Sequence, residues 1–304
     1  MLSPSAALLD ELVQHGHLLP SGEPGVFGCG SEWNAVHRAI DTLLERLAAS
    51  DGTERLRFPP VVPRRLLDEV GYTGGFPHLT GVVAQFGDPA EQQRSVRAGA
   101  ETVATTPTRL ALLPAACYPA YPAIAARGAL PQGGVTLDLG AACVFRNEPS
   151  HELTRWQTFH QREFVRIADE RSVLAWRELW MRRAASVFAA LGLATTVAPA
   201  NDPFFGRTGT LIARAQREER LKYEASVSLS ETGGDPVAVA SFNYHRGHLA
   251  DTFGIAFGNG AGAHTACVGF GVERILIALC ARHGCAIEEW PVAVRRALSR
   301  HADD

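Results

Sequence analysis

Apolar and polar residues alternate along two stretches on either side of a polar loop within residues 144–167, VFRNEPSHELTRWQTFHQREFVRI. A period of two is typical of β-strands, and the Pro, Ser and charged residues between the stretches are typical of a hairpin loop. The pattern therefore predicts strand, loop, strand. Arg146 and Glu148 share one face of the first strand because they lie two residues apart. Arg162 and Phe164 share one face of the second strand for the same reason.

The hydrophobic pattern of the remaining chain predicts a mixture of helices and strands. Helical spacing covers residues 8–19, 32–49 with Ser31 as N-cap, 171–191 with Arg177, Arg182 and Arg183 facing solvent, and 272–282. Strand-like runs cover residues 79–86, 106–113, 134–144, 225–229 and 237–243. The last two runs are expected to be neighbouring strands, so the sheet around the central hairpin would be antiparallel. We therefore expect an α+β fold with a mostly antiparallel sheet flanked by helices. Residues 198–209, with two consecutive Phe, fit a loop that contacts a substrate or a docking partner and a structural turn equally well.

Composition and charge restrict the classes of protein. The chain has 304 residues, 46% hydrophobic and 20% charged, so it can form one large globular domain, alone or with a small appendage. A net charge of −3 argues against nucleic acid as the main partner, since phosphate neutralisation needs a basic face. The six cysteines form no CxxC pair and no secreted-type framework, and no apolar run reaches membrane length. Residues 1–19 contain an acidic pair and no basic segment, so we do not expect them to be a signal peptide. We expect a cytoplasmic protein that does not contact a membrane.

The hairpin residues suit a nucleoside triphosphate. Arg side chains bind phosphate oxygens in a bidentate way, an aromatic ring can stack on a purine, and a carboxylate can accept from the adenine amino group. A salt-bridged surface hairpin would explain the same charges, because exposed ion pairs are common and weak.

A second motif favours the nucleotide interpretation. Residues 264–278, HTACVGFGVERILIA, predict a strand, a glycine turn and a helix, which places Arg274 near orphan N–H groups that attract an anion. The order FRNE at 145–148, REF at 162–164 and GFGVER at 269–274 resembles motifs 2 and 3 of the class II aminoacyl-tRNA synthetases. The resemblance implies the catalytic fold of that class.

Three further positions narrow the resemblance. Cys117 within LPAACYP, Glu163 and Cys267 are similar to the ligand set of the atypical, zinc-dependent seryl-tRNA synthetases. The chain resembles the truncated relatives of these synthetases, the amino acid:carrier protein ligases, even more closely. The sequence SFNYH at 241–245 is also similar to those ligases. Three protein ligands would leave a tetrahedral Zn²⁺ one open position for substrate.

Histidine ligands are a competing possibility. His245, His248 and His264 are interpreted as residues around the zinc or in a substrate loop; if one of them supplied a fourth ligand, the site would be closed and structural. Cys143, Cys280 and Cys285 are interpreted as small buried hydrophobes.

The resemblance implies a role for each site residue. Arg146 and Arg274 would be catalytic, holding the α- and γ-phosphates of ATP, and Glu148 would accept from the adenine amino group. Phe164 would stack on the purine and Arg162 would contribute to ATP binding, while Asn243 and His245 would line the substrate pocket. Zn²⁺ would bind the α-amine of the substrate, and Mg²⁺, with no assigned protein ligand, would bridge the phosphates.

The activity implied by the resemblance is activation of a small amino acid, glycine or alanine, as an aminoacyl-adenylate. Transfer to the phosphopantetheine thiol of a carrier protein would follow. Two alternatives remain: a seryl-tRNA synthetase-like enzyme that uses a tRNA-binding part in trans, and a non-catalytic regulatory paralogue of a synthetase.

The domain organisation follows from the same comparison. Residues 1–54 are expected to be a short helical segment, too short for a tRNA-binding arm, and residues 55–304 to be the catalytic domain. Residues 55–77, with Pro63, resemble motif 1, which implies a homodimer. We therefore expect ATP, an amino acid and a carrier protein as partners, and no tRNA.

Overall fold

A computed structural model describes residues 4–99, 104–230 and 235–299. The helices are α1 (Pro4–Gln14), α2 (Ser31–Leu47), α3 (Arg64–Glu69), α4 (Tyr72–Gly75), α5 (Pro89–Arg97), α6 (Ala120–Ala125), α7 (Glu170–Ala190), α8 (Gly206–Glu218), α9 (His248–Phe253), α10 (Val272–His283) and α11 (Val292–Ser299). The strands are β1 (Leu18–Pro20), β2 (Phe27–Cys29), β3 (Glu54–Arg55), β4 (Val61–Pro63), β5 (Val82–Phe86), β6 (Thr105–Leu112), β7 (Val135–Phe145), β8 (Thr158–Ala168), β9 (Thr195–Pro199), β10 (Lys222–Val227), β11 (Val237–Arg246) and β12 (His264–Gly271). None of the helices in these ranges is both long enough and apolar enough to cross a membrane.

A seven-stranded sheet forms the centre of the fold, with strand order β3-β7-β8-β12-β11-β10-β9. Every neighbouring pair is antiparallel except β3 and β7, which are parallel. Smaller sheets, β4-β6-β5 and β1-β2, lie beside it. The predicted α+β class with a mostly antiparallel sheet is confirmed, and so is the central hairpin, which is β7 and β8.

The two faces of the central sheet are covered by two different hydrophobic clusters. One, called here the helical face, packs residues such as Trp33 of α2, Trp180 of α7 and Leu276 of α10 against the sheet. The other face, called here the site face, is covered by residues of β6, α3, α6 and α9. Because successive strand residues point to opposite faces, β8 contributes even-numbered side chains to the helical face and odd-numbered ones to the site face.

The alternation of side chains along β8 contradicts two predicted ATP contacts. Phe164 is completely buried on the helical face, where its ring stacks on Trp180 with centroids 4.3 Å apart, so it cannot stack on a nucleotide. Arg162 is equally buried on that face and donates to Asp41 at 2.6 Å and to Asp138. Both predictions are wrong. Arg162 and Phe164 do share one face of β8, but it is the helical face, whereas Glu163 lies on the site face.

A β-bulge in β7 shifts its register relative to β8. The register advances from Asp138 opposite Phe164 to Ala141 opposite Arg162, so β7 carries one extra residue. Gly140 has a φ of +65°, and its amide donates to the Asp138 carboxylate at 2.8 Å. Side chains rarely adopt this φ, so glycine is favoured here; a Cβ would also displace the flexible end of Arg57, whose Nη1 would lie 2.4 Å away.

Several local predictions differ from the structure. The helix predicted from residue 8 to residue 19 ends at Gln14, and β1 follows it. Ser31 lies inside α2, whose N-cap is Gly30 with no side-chain hydrogen bond. The strand predicted from residue 79 begins only at Val82.

Two further predictions differ from the structure, one about exposed residues of α7 and one about the loop at residues 198–209. Arg177 is buried rather than solvent-facing, and its guanidinium donates to the Arg220 carbonyl at 3.0 Å and lies over the ring of Tyr223. The loop after β9 spans only residues 200–205, because α8 follows at once. Of the two consecutive Phe, Phe205 is exposed, whereas Phe204 stacks on Phe76.

Candidate active site

Side chains from four neighbouring strands form a polar row across the site face. Register places Glu224 of β10 opposite Ser241 of β11, Ser241 opposite Gly269 of β12, and Gly269 opposite Glu163 of β8. Directly opposed residues of an antiparallel pair project to the same face, so these positions line one surface. Cys267, two residues before Gly269 on β12, shares that surface.

Cys117, Glu163 and Cys267 form a buried cluster at one end of this row. Their ligand atoms all lie within 4.8 Å of one another, although Cys117 comes from the loop after β6 and the other two from β8 and β12. All three residues are buried, at 3%, 1% and 3% exposure. The predicted convergence of these three side chains is therefore present in the fold.

Burial and mutual contacts raise the pKa values of all three side chains of the cluster. Burial holds the pKa of Glu163 above its usual value. The hydrogen bond with Cys117, together with burial, holds the pKa of the Cys267 thiol well above its usual value. For Cys117 the hydrogen bond from Cys267 acts to lower the pKa, but burial and the charge of Glu163 outweigh it and the pKa rises. A divalent cation would reverse these shifts by stabilising the deprotonated forms.

The cluster has the donors and the free atom that a zinc site needs. Oε2 of Glu163 is buried and has no hydrogen-bond partner. Two thiolates and one carboxylate are ligands that Zn²⁺ accepts, and three protein ligands are the number found in catalytic zinc sites. The residues present therefore fit the ion that the sequence resemblance implies.

Polar side chains surround the sulfur of Cys267. Asn243 donates from Nδ2 to Cys267 Sγ at 3.4 Å, and His245 Nε2 lies 3.7 Å from the same sulfur. Burial lowers the pKa of His245 to about 4, so its ring is neutral near pH 7. The cluster itself contains no histidine among the described residues, and His264 instead contacts the Tyr244 hydroxyl through Nδ1 at 2.6 Å.

Two arginines lie beyond the cluster on the same surface. Arg146 leaves the end of β7 and its guanidinium lies 5.6 Å above the centroid of the Phe159 ring, with a buried Nε that has no hydrogen-bond partner. Arg274 donates from Nε to the Thr154 carbonyl at 3.0 Å and from Nη1 to the Ala238 carbonyl at 3.1 Å. Burial, then the charge of Arg146, lower the pKa of Arg274 to about 10. The two cations repel each other, which favours an anion between them.

Glu148 already has a charged side chain as its partner. Arg155 forms an ion pair with Glu148 and donates to Glu152 at 2.7 Å. An adenine amino group would therefore have to share Glu148 with Arg155 or displace it.

Phe159 and Gln161 are among the residues of this surface that sequence reasoning missed. Both have odd numbers on β8 and so share the face of Glu163, and that parity was the signal that could have found them. Gln161 accepts from the Ala116 amide at 3.2 Å, which ties β8 to the loop that carries Cys117. A Cβ on Gly269 would lie 2.6 Å from Gln161 Nε2, so the missing side chain leaves room at the centre of the row.

Comparison with curated proteins gives two relatives of similar length. The chain is 44% identical over 269 residues to amino acid–acyl-carrier-protein ligase 1 of Bradyrhizobium diazoefficiens, covering 85% of this chain and 82% of the relative. It is 42% identical over 282 residues to ligase 2 of the same organism, covering 91% and 84%. A type-2 serine–tRNA ligase of Methanopyrus kandleri is 28% identical over 274 residues, which cover 83% of this chain and 52% of that protein. No protein-family model matches the chain.

Solved structures support the fold alone. The M. kandleri SerRS crystallised with A. aeolicus tRNASec superposes with a TM-score of 0.82 at 24% identity, over 96% of this chain and 60% of that one. Giardia lamblia prolyl-tRNA synthetase in complex with prolyl-adenylate gives a TM-score of 0.70 at 15% identity, over 92% and 52%. The chain thus spans little more than half the length of these synthetases, and it has the class II catalytic fold.

Substitution within the cluster tests its ability to hold zinc. We expect Cys117→Ser, equilibrated with zinc and then separated from free metal, to contain one zinc per protomer fewer than the unsubstituted chain. Asn243→Ala, which removes a donor to Cys267 but no ligand, should lower zinc affinity by about 10- to 100-fold. Metal analysis and chelator competition measure the two effects.

Cys280→Ala is the matched control, because Cys280 is a buried cysteine of α10 outside the cluster. It should leave the zinc content unchanged. Equal zinc in Cys117→Ser and in the control would contradict the assignment of the cluster.

Proposed function

Because the chain belongs to the family of amino acid–acyl-carrier-protein ligases, we propose that it activates a small amino acid with ATP and passes it to the phosphopantetheine thiol of a carrier protein. The observation that carries the proposal is the placement of the Cys117–Glu163–Cys267 cluster beside the Arg146–Arg274 pair on one face of the sheet. The cluster offers a place for the amino group of the substrate, and the arginines offer a place for phosphates.

The first step would join the amino acid to AMP. A carboxylate oxygen of the amino acid attacks the α-phosphorus of ATP, an O–P bond forms, and the bond to the β-phosphate oxygen breaks to release pyrophosphate. Arg146 is proposed to neutralise charge at the α-phosphate and Arg274 at the γ-phosphate. The Arg274 guanidinium is held by two backbone carbonyls before substrate binds, so it costs little reorganisation in the transition state.

We assign to Phe159 the purine-stacking role that was expected of Phe164. Its ring lies under the Arg146 guanidinium on the site face, so a purine stacked on it would place its phosphates near that cation. Glu148 would accept from the adenine amino group after releasing one of its contacts with Arg155.

The zinc cluster would select an amino acid over other carboxylic acids. When bound, Zn²⁺ supplies a Lewis acid whose open position takes the neutral amine of the substrate. Cys117, Glu163 and Cys267 would hold the ion, and Asn243 orients the Cys267 sulfur from outside.

The surroundings of the cluster favour a small substrate. Tyr118 and Tyr121 follow Cys117, and both lie close enough for the Cys117 thiolate to act with burial in raising their pKa values well above the usual range. We propose that these two rings border the substrate position and restrict its volume. This supports glycine or alanine as the amino acid.

Glu224 is the proposed protein ligand for the Mg²⁺ of ATP. It lies in the polar row on the site face, and its negative charge acts on Arg274, the residue proposed for the γ-phosphate. In the absence of a cation its carboxylate is held by Lys222 at 2.8 Å. Lys222 also contacts Asp202 at 2.6 Å, so it would keep a partner when Glu224 binds metal.

In the second step the carrier thiolate attacks the carbonyl carbon of the adenylate. A C–S bond forms, the C–O bond to the phosphate breaks, and AMP leaves. A thiol of ordinary pKa is partly ionised near neutral pH, so this step needs no strong base from the chain.

Amino-acid-dependent exchange between ATP and pyrophosphate tests the first step. We expect exchange with glycine or alanine, and we expect zinc chelation to abolish it. Mass spectrometry of a phosphopantetheinylated carrier protein should then detect the aminoacyl thioester. A folded, zinc-loaded sample that exchanges with no amino acid would refute activation and favour the regulatory paralogue; exchange with transfer only to tRNA would favour the synthetase.

The two phenylalanines of β8 provide a matched pair of variants. Phe159→Leu should raise the KM for ATP by about tenfold or more, because aromatic stacking on a base is worth about 1–3 kcal/mol. Phe164→Leu should leave that KM unchanged and lower the free energy of unfolding by about 1 kcal/mol or more, because it disturbs the packed ring on Trp180. Exchange kinetics and urea denaturation of both variants make the comparison. The reverse pattern would restore Phe164 to the ATP site.

Glu224→Gln tests the magnesium proposal. The Mg²⁺ concentration for half-maximal exchange should rise about tenfold or more, since the amide removes a charged oxygen ligand. Glu218→Gln, an exposed residue paired with Arg214, is the control and should leave the Mg²⁺ dependence unchanged. An unaltered Mg²⁺ dependence in Glu224→Gln would exclude Glu224 as a ligand.

A further inference from the structure

A second group of metal-binding side chains lies on the helical face, away from the cluster described above. His160 comes from β8, Glu273 from the first turn of α10, and His37 from the middle of α2. Their ligand atoms all lie within 4.8 Å of one another. None of these residues has a role in the proposed chemistry, since His160 has an even number on β8 and projects away from Glu163.

Both imidazoles are directed at one oxygen of Glu273. Nδ1 of His160 lies 2.7 Å from Oε1, and Nε2 of His37 lies 3.5 Å from the same oxygen. The other oxygen, Oε2, accepts from the backbone amide of His160 at 2.8 Å. The carboxylate is therefore fixed in position before any ligand arrives.

The ring nitrogen of His37 is the unexplained atom of the group. Nε2 is buried and has no hydrogen-bond partner, although it points into a cluster that contains a buried carboxylate. A buried polar atom without a partner costs about 1–3 kcal/mol, so a protein seldom keeps one without a function or an unseen ligand. A hydrogen bond explains the position of His160, but the 3.5 Å contact of His37 Nε2 with Oε1 of Glu273 is long for a hydrogen bond and leaves this nitrogen poorly satisfied.

The spacing suits a tetrahedral ion. Zn–N and Zn–O bonds of about 2.0–2.2 Å put neighbouring ligand atoms about 3.3 Å apart. The His37–Glu273 separation already has this size. The His160–Glu273 separation is shorter because a proton lies between the two atoms, and it would lengthen when a metal replaces that proton.

Solvent reaches the group from one side. The side chains of His37 and Glu273 are 14% and 6% exposed, whereas that of His160 is 43% exposed. Two histidines and one glutamate are also a set that catalytic zinc sites use, with an open fourth position. The exposed Cys143 lies directly opposite His160 on β7 and so borders this open side.

We propose that His37, His160 and Glu273 form a second site for a divalent transition metal, separate from the zinc cluster on the site face. A metal there would join α2 to β8 and to the start of α10. Since Glu273 immediately precedes Arg274, it would also fix the helix end that carries a proposed phosphate ligand. The proposal does not depend on the proposed activity, because metal binding is measured without substrate.

Zinc content per protomer is the direct test. After equilibration with zinc and removal of free metal, we expect two equivalents in the unsubstituted chain, one in Cys117→Ser and one in His37→Gln. The control His151→Gln, which alters an exposed histidine of the hairpin loop, should keep two. One equivalent in the unsubstituted chain, or two in His37→Gln, would overturn the second site.

Cobalt spectroscopy keeps the test decisive if His37→Gln does not fold. In Cys117→Ser, Co²⁺ bound by imidazole and carboxylate should give visible d–d bands, and the intense near-ultraviolet band of a cobalt–thiolate bond should be weaker than in the unsubstituted chain. Folded Cys117→Ser that binds no cobalt would refute the proposal. So would visible bands that persist when His160→Gln is added to that variant.

Discussion

The alternation of β8 is the constraint on which the molecule depends. The strand lies inside the central sheet with both faces covered, so every charged residue on it must find a partner on the side where its number places it. Arg162 finds Asp41 and Asp138 on the helical face, and the next residue, Glu163, meets Cys117 and Cys267 on the site face. A register slip of one residue would exchange these environments and leave both charges buried without partners.

The sequence was sufficient for the main elements around the site and for the convergence of distant motifs. The long hairpin, β10 to β12, α7 and α10 follow from hydrophobic periodicity, and the three zinc candidates meet although they lie at positions 117, 163 and 267. The resemblance carried this second result, because periodicity cannot bring a loop after β6 to a particular point on β8.

What the sequence could not supply was the environment of each polar side chain. Arg162 and Phe164 have the residue types of an ATP site but face the helices. Arg177 has the pattern of a surface residue but is buried between two tyrosines, with Nη1 donating to two backbone carbonyls. In each case contacts with residues distant in the sequence determine whether the side chain is buried and what it binds. The group of His37, His160 and Glu273 was equally invisible, since its members come from three elements brought together only by packing.

Because of the bulge at Gly140, insertions and deletions should be tolerated at the tip of the hairpin but not within the bulge itself. Before the bulge β7 sends even-numbered residues to the helical face, and after it odd-numbered ones, so Asp138 and Cys143 both project there. Loss of one residue at the bulge would turn the rest of the strand over, bringing Cys143 to the site face and Val144 into contact with the helices. Insertions and deletions in homologous chains should therefore accumulate in the exposed tip between β7 and β8, while the segment from Asp138 to Ala141 keeps a constant length.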